Sequence, residues 1–86
     1  MNQLTRIALI GIIVHTPNAP EEINAILHEY GEYIMGRMGI PHRGRGINII
    51  SVVVDAENDV ISSLSGKLGM VKGASVKTMY AKDDAK

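Results

Sequence analysis

The sequence predicts an α+β fold, a four-stranded antiparallel sheet with two helices packed on one of its faces. Residues 7–14 and 47–54 are dense in β-branched residues and apolar at both odd and even positions, which is typical of strands in the centre of a sheet. Each of these segments is followed by apolar residues at helical spacing. Right-handed crossovers then place the two apolar strands side by side.

The first part of the chain predicts a strand and a helix. We expect the strand over residues 4–14, ending before Pro17, which lacks a backbone donor. Asn18 with Glu21 three residues later resembles a capping box at the start of the helix, and Gly31 is expected to cap its end. The apolar stripe of this helix consists of Ile23, Ile26, Leu27 and Tyr30.

The middle of the chain predicts an edge strand and a connection. Residues 32–38 form a less apolar strand interrupted by Gly36, as suits an edge. Residues 39–46 contain three glycines, one proline and three basic or titratable side chains. This composition predicts a mobile connection to the next antiparallel strand.

The second half repeats the strand and helix order. Asp55 is expected to cap the helix that follows the second apolar strand, and Gly69 to end it. Its apolar stripe consists of Val60, Ile61, Leu64 and Leu68. Residues 73–80 form the last strand, because Ala74, Val76 and Thr78 alternate with polar residues. The resulting order, strand-helix-strand-strand-helix-strand, is that of the ferredoxin-like arrangement.

The length predicts one domain that assembles. We expect the domain to comprise residues 1–86, ordered over about 4–80, with residues 81–86 as a frayed tail. A chain of this size buries only about 60–65% of its unfolded surface. Because the two central strands are apolar on both sides, we expect a second copy of the chain to cover the helix-free face. The partner is then the chain itself, in a homodimer or homotetramer.

The composition excludes several classes of function. The chain has no cysteine, which rules out disulfides and cysteine-based metal sites and suits a cytoplasmic location. Nine basic side chains balance nine acidic ones, so no net charge attracts nucleic acid or an anionic membrane. The N-terminus resembles no signal peptide, and no apolar run approaches the roughly 20 residues that span a bilayer. We expect neither membrane nor direct nucleic-acid contact.

No arrangement of residues points to catalysis. The two central strands carry no aromatic residue on which RNA bases could stack. The segment between the first strand and helix, HTPNAPEE, offers no arginine to hold a phosphate. The serines at 62, 63 and 65 have no histidine near them in sequence. We therefore predict a protein that is not an enzyme, with no catalytic residues and no cofactor.

One basic cluster is the first candidate for ligand contact. It consists of Arg37, His42, Arg43 and Arg45. Guanidinium groups bind phosphate or carboxylate through two parallel hydrogen bonds, and the alternative interpretation is a solvated turn kept soluble by its charge. His15 and Asn18 come second, because free amides at a helix start hold anions at a subunit boundary. The alternative for Asn18 is a helix cap.

Three histidines raise the question of a metal. His15, His28 and His42 lie on three predicted elements, and no two share a short ligand spacing. We therefore predict no metal site. The alternative function is a nickel-type metal sensor or carrier that pairs His42 with His15 or His28 across a subunit boundary.

Most of the chain resembles the family of iron-only hydrogenase system regulators from anaerobic bacteria. The resemblance rests on R-M-G-I-P at residues 37–41, the apolar strand ending in Asp55, S-G-K-L-G at residues 65–69 and G-A-S-V-K-T at residues 73–78. It extends over about residues 6–82. The M-G-I-P and S-G-K-L-G segments together are fairly specific, whereas either alone is weak.

This resemblance implies an ACT-like domain, similar to the C-terminal domain of the nickel-responsive transcription regulator, which forms homo-oligomers. It also implies a small-molecule effector or a partner protein, and a role in the iron-only hydrogenase system through transcription or assembly. The nickel ligands do not carry over, because the chain has no cysteine and no histidine in its third predicted strand. The chain starts at its first strand, so we expect no ribbon-helix-helix and no direct DNA binding.

Overall fold

The computed structural model describes residues 4–82. Its elements are β1 (Arg6–Val14), α1 (Ala19–Glu29), a 3-10 turn (Gly31–Tyr33), β2 (Ile34–His42), β3 (Ile47–Ala56), α2 (Asn58–Gly69) and β4 (Ala74–Tyr80). The predicted order is confirmed. Of the predicted frayed tail, residues 83–86 lie outside the described part of the chain.

The four strands form one antiparallel sheet in the order β2-β3-β1-β4. The two apolar strands are therefore central, as predicted. β1 and β3 pair along their whole shared length, from Arg6 opposite Ala56 to Val14 opposite Asn48. This register aligns even-numbered residues with even-numbered ones, so along β1 and β3 each face takes its side chains from one parity.

The core lies between the sheet and the two helices. The even-numbered residues from Ala8 to Val14 of β1 and from Ile50 to Ala56 of β3 point into it and are almost completely buried. The helices contribute Ile23, Leu27, Ile61, Leu64 and Leu68. Each of these side chains contributes about 1.5–3 kcal/mol through burial. Both predicted apolar stripes are confirmed, with Ile26, Tyr30 and Val60 packed at the margin.

The predicted connection over residues 39–46 is wrong in its first half. β2 continues to His42, and Gly39 and Pro41 pair with Ile50 and Asn48 of β3. The turn is confined to residues 43–46, where Gly46 has a φ of 66°. A proline is tolerated here because β2 is an edge strand. The irregularity expected at Gly36 is a register shift between Ile34 and Gly36.

The predicted helix caps are wrong in detail. Asn18 stands before α1 with right-handed helical dihedrals and makes no side-chain cap hydrogen bond, because a capping side chain needs extended backbone. Asp55 lies within β3, and Glu57 precedes α2 instead. Tyr30 follows α1, and Gly31 begins the 3-10 turn.

No helix within residues 4–82 is long and apolar enough to cross a bilayer.

Candidate functional site on the open sheet face

Both helices cover the same face of the sheet, and no element within residues 4–82 covers the other. We call this surface the open face. By register Asp55 lies at one end of this face, and Ile47 and His42 lie at the other. The rest of the face consists of Gly36, Met38 and Ile40 of β2, Ile49, Ser51 and Val53 of β3, Ile7, Leu9, Gly11 and Ile13 of β1, and Ser75, Lys77 and Met79 of β4. Eight of these side chains are aliphatic or methionine.

Seven large apolar side chains of the open face are at least one third exposed. Ile7, Leu9, Ile13 and Ile49 of the central strands are 36–41% exposed, and Met38, Ile40 and Met79 of the edge strands are 52–64% exposed. Single exposed apolar side chains are common on proteins, but a contiguous patch marks an interaction site. The open face is therefore the first candidate for a functional surface.

A depression of about 290 Å³ lies at the centre of the open face. It forms over Gly11, whose register neighbours are Ser51 on β3 and Lys77 on β4. Ile13, Ile49 and Ser75 complete its lining on the open face. The depression is thus apolar on one side and bordered by two hydroxyl groups and one ammonium group.

Glycine is not required at position 11 by the fold. Gly11 has no positive φ, and a Cβ built there would approach no atom closer than the Lys77 carbonyl oxygen, at 4.0 Å. A glycine in a strand interior costs about 0.5–1 kcal/mol relative to alanine. Such a glycine often marks a place where a ligand or another chain approaches closely.

Lys77 is the one charged residue in the three central rows of the open face. It is exposed, and it makes no salt bridge within the described residues, where the one ion pair joins Lys67 to Glu29. Sequence reasoning missed Gly11, Ser51 and Lys77 as site residues. The signal that could have found them is a single glycine inside an otherwise β-branched strand.

A larger cleft, of about 560 Å³, lies between the start of β1 and the residues after β4. Its lining includes Leu4, Thr5, Ala81 and Lys82, next to chain segments outside the described residues. The open face, which consists of described residues alone, is therefore the candidate site.

The structure separates the predicted basic cluster. Arg37 pairs with Val52 and so points to the helix side, where its Nη2 donates a 2.7 Å hydrogen bond to Oδ1 of Asn24 on α1. His42 ends β2, and Arg43 and Arg45 lie in the exposed turn. Five residues of strand, about 16 Å, separate Arg37 from His42. The structure thus groups only Arg43 and Arg45 of the turn with His42 at the end of β2.

His15 lies at the same end of the sheet as this turn, because β1 and β3 are antiparallel. Its Nε2 is 3.2 Å from Oγ of Ser75, which lines the central depression. His15 also donates from its backbone amide to the Gly73 carbonyl. Asn18 stands at the start of α1. Of the six predicted residues, His15 is the one hydrogen-bonded to the lining of the depression.

The metal-sensor alternative gains no support. His28 is exposed in the last turn of α1, at the end of the helix far from His15. Within residues 4–82 no three histidine, aspartate or glutamate side chains gather in a way that could hold a metal ion.

The groups with shifted pKa values lie away from the open face. A hydrogen bond to Glu29, with a further contribution from Tyr30, raises the pKa of Lys67 on α2. The charge of Glu32 and a hydrogen bond to it raise the pKa of Tyr33. Lys67 is exposed on the helix side, where its contact with Glu29 joins α2 to α1. Tyr33 is half-buried and packs against the core.

Comparisons with known proteins agree with the sheet order. The family model described as "TM1266-like: Iron-only hydrogenase system regulator, putative" matches residues 6–78. Among solved structures, the uncharacterized protein TM1266 from Thermotoga maritima is similar, with a TM-score of 0.89 and 38% identity over 92% of this chain and 100% of that chain. No curated protein matches the sequence.

Two further solved structures share the fold alone. The C-terminal domain of the MgtC protein from Mycobacterium tuberculosis has a TM-score of 0.72 and 13% identity, over 100% of this chain and 99% of that chain. A formyltetrahydrofolate deformylase from Pseudomonas putida KT2440 has a TM-score of 0.62 and 13% identity, over 85% of this chain and 28% of that one.

Proposed function

Because the chain belongs to the TM1266-like family of iron-only hydrogenase system regulators, we propose that it is a non-catalytic, cytoplasmic regulatory domain that works as a homo-oligomer. The observation that carries this proposal is the open face, an apolar sheet surface that one chain leaves uncovered. Assembly, rather than chemistry at a catalytic site, is what this surface supports best.

The dimensions of the open face suit a second copy of the chain. Four strands at their usual spacing are about 19 Å wide, and seven paired residues are about 23 Å long. Side chains standing on this footprint bring its accessible area towards the roughly 800 Å² that each partner contributes to a stable interface. An isologous dimer places the same patch on both chains, so two apolar faces cover each other.

Regulation requires that assembly respond to a signal. An effector or a partner protein shifts the balance between assembly states only if its affinity for those states differs. The turn with His42, Arg43 and Arg45 is our candidate contact for an anionic group, with His15 at the same end of the sheet. Arg37 and Asn18 lie apart from this turn.

The oligomeric state tests the proposal directly. We expect sedimentation equilibrium to show a concentration-dependent dimer or larger oligomer for the wild-type chain. Leu9→Asp places a carboxylate in the middle of the open face, so it should yield a monomer with an unchanged far-UV circular dichroism spectrum. Ser62→Asp is the matched control, because Ser62 is exposed on α2, and it should assemble as the wild type does. A wild-type monomer at all concentrations would refute the proposal.

The turn is tested separately. Replacing Arg43 and Arg45 with alanine should weaken the binding of an anionic effector or partner and leave assembly unchanged. Native mass spectrometry of the protein from its source cells, with wild type and variant compared, supplies the measurement. Equal retention of every bound molecule would mean that the turn is a solvated connection.

A further inference from the structure

We propose that the depression over Gly11 binds a small aliphatic carboxylate, with the carboxylate between Lys77 and Ser51 and the apolar body against Ile13 and Ile49. The inference rests on the proposed function, because assembly through the open face would enclose this depression. It gives the effector a chemical class and a place distinct from the basic turn.

The first step is the missing side chain at position 11. The neighbouring central-strand positions of the open face, Leu9 and Ile13, carry large side chains, and only position 11 carries none. A Cβ would fit there without a close contact. Packing within one chain therefore does not require the space over Gly11. Glycine at this position also weakens the strand.

The second step is the charge beside that space. Lys77 is the register neighbour of Gly11, and its ammonium group has no carboxylate partner within residues 4–82. When two apolar faces meet, an ammonium group between them needs an anion, because burying an unpaired charge is costly. A ligand carboxylate over Gly11 supplies this anion directly beside Lys77.

The third step is the kind of anion. One ammonium and the hydroxyls of Ser51 and Ser75 offer few donors, and the backbone groups of the central strands are used in the sheet. A phosphate, with more charge and more acceptor oxygens, calls for more donors than one ammonium and two hydroxyls supply. Ile13 and Ile49 favour an aliphatic body. The volume of about 290 Å³ accommodates about ten non-hydrogen atoms, at the roughly 30 Å³ that one water molecule occupies in the liquid.

The fourth step is access. β4 is an edge strand, so Lys77 and Ser75 lie on the side of the depression that faces the sheet margin. A small molecule reaches the space from that margin in the assembled protein. His15, hydrogen-bonded to Ser75, connects the depression to the end of the sheet that carries the basic turn.

The test uses isothermal titration calorimetry on the full chain with 4-methylpentanoate as probe and its uncharged analogue 4-methylpentanamide as control ligand. Lys77→Met should weaken binding of the carboxylate by about tenfold or more, as expected for a lost charge-assisted hydrogen bond, and leave amide binding unchanged. Lys72→Met is the matched control, because Lys72 is exposed outside the open face, and it should change neither. Gly11→Val fills the depression and should abolish binding of both ligands.

Four outcomes would overturn this inference. The first three are the absence of carboxylate binding by an assembled wild-type protein, unchanged binding by Gly11→Val, and dissociation of the oligomer by Gly11→Val or Gly11→Ala, which would mean that a side chain of the second copy occupies the space. Dissociation by Asp55→Asn as strong as that by Lys77→Met would assign the counter-charge to the second copy instead. Sedimentation equilibrium run alongside keeps the two proposals apart: an oligomer without binding refutes only the ligand site, whereas a wild-type monomer refutes the assembly.

Discussion

The two faces of β1 and β3 both carry mostly aliphatic side chains, but one face is buried under the helices and the other is partly exposed. On the helix side, Ile10, Ile12, Val52 and Val54 are completely buried, whereas Ile7, Leu9, Ile13 and Ile49 on the open face are 36–41% exposed. Sequence pattern alone cannot distinguish these faces, because both are apolar. The helix-side face is apolar because it forms the core. Burial within a single chain does not explain in the same way why the open face is apolar.

The open face also differs in its exceptions. Gly11 and Lys77 interrupt it side by side, whereas the buried face of β1 is apolar without a break from Ala8 to Val14. An interruption in a core would leave a cavity or an unpaired charge, each of which destabilises a fold. On a surface that binds another molecule, the same interruption provides room and a charge.

The largest expected effect comes from comparing two adjacent isoleucines. Ile12→Ala should lower the free energy of unfolding by about 2–5 kcal/mol, because a fully buried side chain leaves a cavity. Ile13→Ala should cost the dilute, unassembled chain less than about 1 kcal/mol, because that side chain remains partly in water, and it should instead weaken assembly. Urea unfolding at low protein concentration and sedimentation equilibrium measure the two quantities. Equal losses of stability would mean that the two faces do not differ as described.

A second, smaller effect compares two glycines. Gly73 has a φ of 85°, and a Cβ there would collide with the side chain of Thr16. Gly73→Ala should therefore lower the free energy of unfolding by about 1–3 kcal/mol, whereas Gly11→Ala should leave it unchanged or raise it by up to about 1 kcal/mol. Thermal or urea unfolding of both variants provides the measurement.

A double variant divides the loss at Gly73 into its causes. Thr16→Ala combined with Gly73→Ala removes the atoms that collide most closely and leaves the unfavourable φ. It should recover part of the lost stability relative to Gly73→Ala. A Gly73→Ala variant as stable as Gly11→Ala would show that position 73 does not need a glycine.

The element order and the central position of β1 and β3 could be predicted because they depend on long patterns. A sequence pattern that extends over many positions can be recognised with little ambiguity. Strands that are apolar on both sides and helices with four aligned apolar residues are patterns of this kind. The ends of elements depend on one or two residues and on tertiary pairing. Gly39 and Pro41 are typical of loops in isolation, yet pairing with β3 holds them in an edge strand. Asp55 is a good cap by type, but β3 continues past it to the buried Ala56.

The candidate site was harder to predict than the fold. The sequence groups the basic residues by their charge alone. In the structure, the bulge between Ile34 and Gly36 and the length of β2 decide which side of the sheet Arg37 faces. Gly11, Ser51 and Lys77 are distant in sequence, and only the register of three strands makes them neighbours. A glycine has no functional side chain, so its role in a binding site depends on the residues that lie next to it in the sheet.

The smallest expected effect concerns pH and sharpens the contrast between the faces, because the shifted groups lie on the helix side. The pKa of Lys67 is raised above its usual 10.5, chiefly by its hydrogen bond to Glu29, and the pKa of Tyr33 above its usual 10.0, chiefly by the charge of Glu32. In both cases the folded chain holds its proton more tightly than the unfolded chain. The resulting stability is complete below these usual values and is lost as the pH rises through the raised ones.

Unfolding by urea at pH 9 and at pH 11 should therefore show a small loss of stability at the higher pH, since exposed pairs contribute little. Lys67→Met and Tyr33→Phe should each reduce that loss by removing one shifted group. Lys72→Met is the control, because no carboxylate lies within salt-bridge distance of Lys72 among residues 4–82, and it should leave the pH dependence unchanged. If Lys67→Met and Lys72→Met behaved alike, the contact between Lys67 and Glu29 would not contribute to stability in solution.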